Sequence, residues 1–168
     1  MISHRQLMQI GGARFSGRNL SARGALRRSR IIMRDTPNMI RREMKYKFKN
    51  SALEKMKAHL TEEYPKEGCG ILAGDSNGSI EAIFCMGNIS DHKRSAGHYE
   101  MDPLEVYEIE KKMQEKGYSI LGFYHSHPDQ EARMSSEDSE HMIPQMLYVI
   151  ASVNNGKCGE IRGYVKDL

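Results

Sequence analysis

The chain is predicted to form one layered α/β domain, a mixed β-sheet flanked by helices. Three observations lead there. Strand-sized apolar runs and helix-sized amphipathic segments alternate from Met44 onward, cap and turn residues separate them, and 168 residues give room for one core and not for two.

Each element has its own signal. KYKFK (45–49) alternates like a short strand. SALEKMKAHLTEEY (51–64) reads as a helix, with Ser51 as N-cap, Glu54 completing a capping box and Pro65 beyond the end. CGILAG (69–74) is a short buried strand, DSNGS a turn, and IEAIFCMGN (80–88) the strand that returns beside it as a hairpin. In MDPLEVYEIEKKMQEKG (101–117), Asp102 caps a helix, Pro103 takes its first position, Glu105 closes the cap and Gly117 stops it. The apolar stripe of that helix is Leu104, Val106, Tyr107, Ile109 and Met113. YSILGFYHS (118–126) is a strand and SSEDSEHMI (135–143) a short helix closed by Pro144. MLYVIAS (146–152) and CGEIRGYVK (158–166) are the last two strands.

The net charge of +3 divides into two unlike pieces. Residues 1–43 hold ten arginines, no lysine and two acids, Asp35 and Glu43, a net of +8. Residues 44–168 carry 15 basic and 20 acidic side chains, the balance of a mildly acidic globular domain and not of a nucleic-acid binder. The first piece has little apolar periodicity and many Gly, Ser and Arg. It is expected to be a disordered or loosely attached extension, or the product of a misassigned start with translation beginning at Met33 or Met44. A basic arm for nucleic acid or a transit peptide has the same composition. The functional domain is expected to be 44–168.

No stretch approaches the ~20 apolar residues of a membrane span, so no membrane partner is expected. Cys69, Cys85 and Cys158 are odd in number and lack the paired spacing of a disulfide framework or a structural zinc site. That usage suits a reducing compartment, the cytoplasm.

The chemistry is concentrated in GFYHSHPDQEARMSSEDSEHM (122–142). Side chains two apart on a strand share a face, roughly 6.6 Å apart at the backbone, so His125 and His127 can converge on one ion before Pro128 ends the strand. A third ligand would come from a nearby carboxylate, and Asp129, Glu131 and Asp138 all qualify. Taken alone, Ser135 with Asp138 is a helix cap, and Glu67 is a surface residue after Pro65. His141, one helical turn after Asp138, could be a neighbouring contact or a rival ligand. Cys69 reads as a small core residue.

Together, Glu67 before the strand CGILAG, His125-x-His127, seven residues and Ser135-x-x-Asp138 resemble the JAMM (MPN-domain) metallopeptidase family. The resemblance runs from about residue 46 to the end and includes the YEMDP lead-in to the second long helix. Met134 departs from it, standing where close bacterial members often have proline. The resemblance implies the MPN fold, similar to that of cytidine deaminases, and a hydrolase with one zinc per chain held by His125, His127 and Asp138. It further implies Glu67 as general base and Ser135 as hydrogen-bond donor to the tetrahedral oxyanion. The implied partner is a ubiquitin-like or sulfur-carrier protein cut after its Gly-Gly tail. The long insertions of chain-selective eukaryotic members are absent.

Three rival readings remain. A metallo-β-lactamase type of hydrolase begins with a similar His-x-His-x-Asp, but Gln130 stands where its next histidine belongs. A DNA-repair-associated branch would give the basic arm a use, against the acidity of residues 44–168. A non-catalytic scaffold domain would have lost the ligands.

Overall fold

Residues 69–74 are apolar or glycine throughout, which suits a strand with no solvent face. In the computed structural model, which describes residues 28–29, 46–90 and 96–167, this segment is β3 (Cys69–Gly74), buried at every position in the middle of a seven-stranded sheet. Before it come β1 (Arg28–Ser29), β2 (Lys47–Lys49) and α1 (Asn50–Glu63). After it come β4 (Ser79–Met86), α2 (Pro103–Glu115), β5 (Ser119–Pro128), α3 (Ser136–His141), β6 (Leu147–Asn154) and β7 (Lys157–Val165). The spatial order is β1-β2-β4-β3-β5-β6-β7. β2/β4 and β5/β6 are parallel and the other pairs antiparallel, so the sheet is mixed as expected.

Of the basic segment 1–43, Arg28–Ser29 alone is described, paired with Lys49 and Phe48 of β2. The expectations for the rest of that segment lie outside the described residues.

Alternation along the strands makes two cores. On one face Leu72, Tyr124, Leu147, Val149 and Val153 pack against Leu53, Met56 and Leu60 of α1. On the other, Ile71, Phe123, Tyr148 and Ile150 pack with Val106, Ile109 and Met113 of α2 and with Met142 beyond α3. Each large apolar side chain so buried contributes about 1.5–3 kcal/mol. The same alternation puts His125 and His127 on the α2 and α3 face with Phe123, and Ser126 on the α1 face with Tyr124. At Gly122 a Cβ would lie 1.8 Å from the Leu147 carbonyl oxygen, so only hydrogen fits where β5 meets β6.

Two local expectations are corrected. α1 starts at Asn50 with Lys49 as N-cap and no side-chain cap bond, so Ser51 lies inside the first turn and the Ser51/Glu54 box does not form. β2 runs into the helix without a linker, and its last extended residue serves as the cap. On α2, Val106, Ile109 and Met113 are buried, whereas Leu104 is 74% exposed and Tyr107 48%. The sheet covers a stripe narrower than the apolar pattern, and Lys111 Nζ lies 4.4 Å from the Tyr107 ring centroid. Asp102 caps α2 as expected, accepting from the Leu104 amide at 2.8 Å.

Candidate metal centre

Pro128 ends β5, and Asp129 turns the chain with a φ of 53°. Its carboxylate accepts from the Tyr64 hydroxyl at 2.8 Å and the Asn155 amide at 2.9 Å, tying three segments together at the strand's end. Glu131 is exposed and pairs with Arg133 at 3.1 Å. Of the three carboxylates left open by spacing, Asp138 is the one that meets the histidines.

The meeting is close. His125 Nε2 and His127 Nε2 are 3.1 Å apart, His125 Nε2 is 3.3 Å from Asp138 Oδ1, and His127 Nε2 is 3.6 Å from Asp138 Oδ2. Donors around a tetrahedral ion at ~2.0–2.1 Å are separated by roughly 3.3 Å. The two contacts to Asp138 run to different oxygens, but one donor atom from each residue lies within 4.8 Å of the others, and the N2O set suits zinc. Among the described residues no other group of histidines, cysteines and acids is so arranged.

Each member is aimed by a neighbour. His127 Nδ1 donates to the Glu131 carbonyl at 3.0 Å, which turns Nε2 toward the centre. His125, 1% exposed, has no hydrogen-bond partner at Nδ1 among the described residues. Its ring is held instead by stacking on Tyr99, with centroids 4.7 Å apart and planes at 28°. Asp138 is fixed by the capping box of α3. The Ser135 amide and hydroxyl donate to Asp138 Oδ2 at 2.9 and 2.7 Å, and the Asp138 amide donates to Ser135 Oγ at 3.1 Å.

The electrostatics follow from burial and this carboxylate. Burial opposes ionisation of Asp138, but hydrogen bonds from His125, His127 and Ser135 outweigh it and hold the carboxyl well below the usual range. Burial lowers His125 despite its contact with Asp138. Burial also acts to lower His127, yet Asp138, the Glu131 carbonyl and Glu67 together raise it.

Glu67 is 5% exposed, two residues before β3, and lines a cleft of about 340 Å³ with Tyr99, His127, Ser135 and Asp138. Burial pushes its carboxyl up to about 8; His127 pulls it down, and Asp138 and Glu137 push it further up. His141 is exposed on the rim, its Nδ1 2.8 Å from the Glu137 carbonyl, and His98 Nδ1 meets Glu137 Oε1 at 3.0 Å. Cys69 is buried in the core, its thiol pushed up to about 12 chiefly by burial.

The structure thus brings Glu67, His125, His127, Ser135 and Asp138 to one cleft and leaves Asp129 and Glu131 outside it. It adds three others: Tyr99 behind His125, Ser126 beside Gly68, and Asn88, whose Nδ2 donates to the Glu67 carbonyl at 3.0 Å. Tyr99 lies in the YEMDP segment and Ser126 between the two histidines, so their positions were visible although their contacts were not.

Residues 49–163 match the profile of the family described as prokaryotic homologs of the JAB domain. The chain is 38% identical over 90 residues to a desampylase of Haloferax volcanii, covering 52% of this chain and 63% of the relative. It is 36% identical over 98 residues to a probable TtuB-protein conjugate cleaving protease of Thermus thermophilus, covering 58% and 64%. A CysO-cysteine peptidase of Mycobacterium tuberculosis is 31% identical over 111 residues, covering 65% and 74%. The chain therefore spans just under two thirds of the length of the first two relatives. Among solved structures, a protein from Desulfitobacterium hafniense superposes with a TM-score of 0.56 at 28% identity, over 72% of this chain and 92% of the other. One from Salinibacter ruber does so with a TM-score of 0.54 at 29% identity, over 70% and 80%.

Proposed function

Since the chain belongs to the family of prokaryotic JAB-domain proteins, we propose that it is a zinc metallopeptidase cutting the amide bond after the Gly-Gly tail of a ubiquitin-like or sulfur-carrier protein. The observation that carries this reading is the triangle of His125, His127 and Asp138, with Glu67 buried on the wall of the same cleft. The names of the three relatives, a desampylase, a conjugate-cleaving protease and a CysO-cysteine peptidase, support the substrate class.

A zinc ion held by those three residues would act as a Lewis acid and bring the pKa of a water from ~15.7 toward ~7. Glu67 takes the proton of the attacking water and delivers it to the leaving amine. Its raised pKa suits that exchange, since a carboxyl at the ordinary 4.5 would take the proton up reluctantly. Ser135 has two tasks. Its amide and hydroxyl hold Asp138, and the hydroxyl turns to donate to the oxyanion as the carbonyl becomes tetrahedral, worth on the order of 3 kcal/mol in comparable sites. Two glycines without side chains can lie extended in a groove that a β-carbon would block.

Three free cysteines, and no helix among the described residues long and apolar enough to cross a membrane, fit our placement of the enzyme in the cytoplasm. The test is mass spectrometry of a ubiquitin-fold carrier extended by one residue beyond Gly-Gly, incubated with the wild-type chain and with Glu67→Gln. Cleavage after the second glycine by wild type alone is expected, and a carrier with valine at that glycine should resist. Equal hydrolysis of unrelated unstructured peptides, or turnover indifferent to Glu67, would refute the proposal.

A further inference from the structure

Asn88 follows β4 and lies outside every motif that marks the metal centre. Its carboxamide is saturated. Nδ2 donates to the Glu67 carbonyl at 3.0 Å and to the His98 carbonyl at 3.1 Å, while Oδ1 accepts from the Ser90 amide at 3.1 Å and the Glu100 amide at 3.2 Å. A primary amide has two donors and two acceptor lone pairs, so all four are used, with donors facing carbonyls and the acceptor facing amides. Rotating the group by half a turn would mismatch every contact. Aspartate would put an oxygen against two carbonyls.

The four contacts join two parts of the site that are distant in sequence. One is the backbone of Glu67, 21 residues away. Two others flank Tyr99, since His98 and Glu100 are its immediate neighbours and Tyr99 is the ring stacked on His125; the fourth, from the Ser90 amide, is local to the turn. The Ile89 amide donates to the Glu100 carbonyl at 2.9 Å and Ser90 Oγ donates to the His98 carbonyl at 3.1 Å, completing a ladder in which the Asn88 side chain takes the part of a missing backbone.

We propose that Asn88 is a positioning residue for the reaction, its one carboxamide setting the distance between Glu67 and the Tyr99 ring that backs His125. The proposal rests on the reading of Glu67 as base and His125 as ligand. Asn88 lies outside the residues that carry the family resemblance, whereas Tyr99 opens its YEMDP segment. A displacement of about 1 Å between a base and its target can cost on the order of 100-fold in rate, so a hub of this kind acts on kcat without touching substrate.

The experiment uses the full chain with a ubiquitin-fold carrier extended by one residue beyond Gly-Gly. It compares wild type, Asn88→Ala and the near-isosteric Asn88→Asp, each checked for zinc content and assayed well below its melting temperature. Both variants are expected to keep about one zinc per chain, to lose about 10-fold or more in kcat and to change KM by less than about threefold. In a Glu67→Asp background, where the carboxylate is already displaced and slow turnover remains, Asn88→Ala should cost less than about threefold, because the same alignment cannot be lost twice. Zinc loss in step with activity, or the same fold-loss in both backgrounds, would reduce Asn88 to a stabilising contact and overturn the proposal, as would unchanged kcat. Failure of the underlying mechanism looks different: Glu67→Gln would then retain turnover.

Discussion

Gly68 and Ser126 hold each other by two hydrogen bonds. The Ser126 amide donates to the Gly68 carbonyl at 3.0 Å, and the Gly68 amide donates to Ser126 Oγ at 2.9 Å. Ser126 sits between the two histidines and Gly68 directly after Glu67, so this pair joins the segment that carries the base to the strand that carries the ligands.

Ser126→Ala keeps the first bond and strands the buried Gly68 amide. Leaving such a donor unpaired costs about 1–3 kcal/mol. For a domain of this size we expect the melting temperature to fall by roughly 3–10 °C, and kcat to fall further than stability alone explains. Equal melting curves for wild type and variant would show that another group satisfies the Gly68 amide.

The ligand set predicts a pattern of metal retention. His127→Ala and Asp138→Ala should emerge nearly free of zinc, whereas Asp129→Ala should retain about one ion per chain while melting at lower temperature, since it loses its bonds to Tyr64 and Asn155. Asp138→Asn separates ligation from capping, because the amide oxygen can still accept from the Ser135 amide while the negative charge is gone. Elemental analysis decides it, and zinc kept by Asp138→Ala but lost by Asp129→Ala would move ligation to the turn.

The parts of the site legible in the sequence are those whose geometry is local. His125 and His127 share a face because strand side chains alternate, and Ser135 and Asp138 meet because a capping box spans three residues. The Gly68 and Ser126 contact spans 58 residues and the stack of Tyr99 on His125 crosses from a loop to a strand, so no local period announces either. Ser51 and Leu104 mislead for a related reason. The start of α1 is set by the pairing of β2, and the covered width of α2 by the sheet beneath it. Both are tertiary facts, and Ser51 and Leu104 obey ordinary propensities that tertiary packing overrides.

Glu67 gives a pH-dependent stability that can be read with the metal chelated. Its carboxyl is raised by burial from 4.5 to about 8, so between those values the folded state keeps a proton that the unfolded chain has released. Stability therefore falls as pH rises through that window. In chelator-treated protein, Glu67→Gln should lie close to wild type near pH 5 and exceed it near pH 8.5 by on the order of 4 kcal/mol. Denaturant unfolding at the two pH values checks this, and a difference that stays constant with pH would mean that Glu67 is ordinarily ionised.

His59 supplies the opposite sign on the other face of the sheet. It is 9% exposed on α1, its Nδ1 is 3.0 Å from the Tyr124 hydroxyl, and its Nε2 is 3.8 Å from Glu63. Burial and its neighbours keep the Tyr124 phenol protonated, and in the hydrogen bond between them the neutral His59 ring donates or accepts according to its tautomer. Burial lowers the His59 pKa below 6.5; Glu63 and Glu62 pull it back and Lys55 adds to the fall. A histidine whose folded pKa is depressed contributes stability that is present above 6.5 and is lost as pH falls through that value toward the folded pKa, because the unfolded chain takes up the proton first. His59→Gln places no titrating ring there. At pH 7.5 it should be less stable than wild type by about 1 kcal/mol through its weaker bond to Tyr124, and on acidification to pH 5 it should lose less stability than wild type does. Both proteins are to be compared with metal chelated, so that the titrations of His125, His127 and Asp138 cancel in the difference. Parallel losses in the two proteins would place the acid sensitivity elsewhere and leave His59 as a packing residue alone.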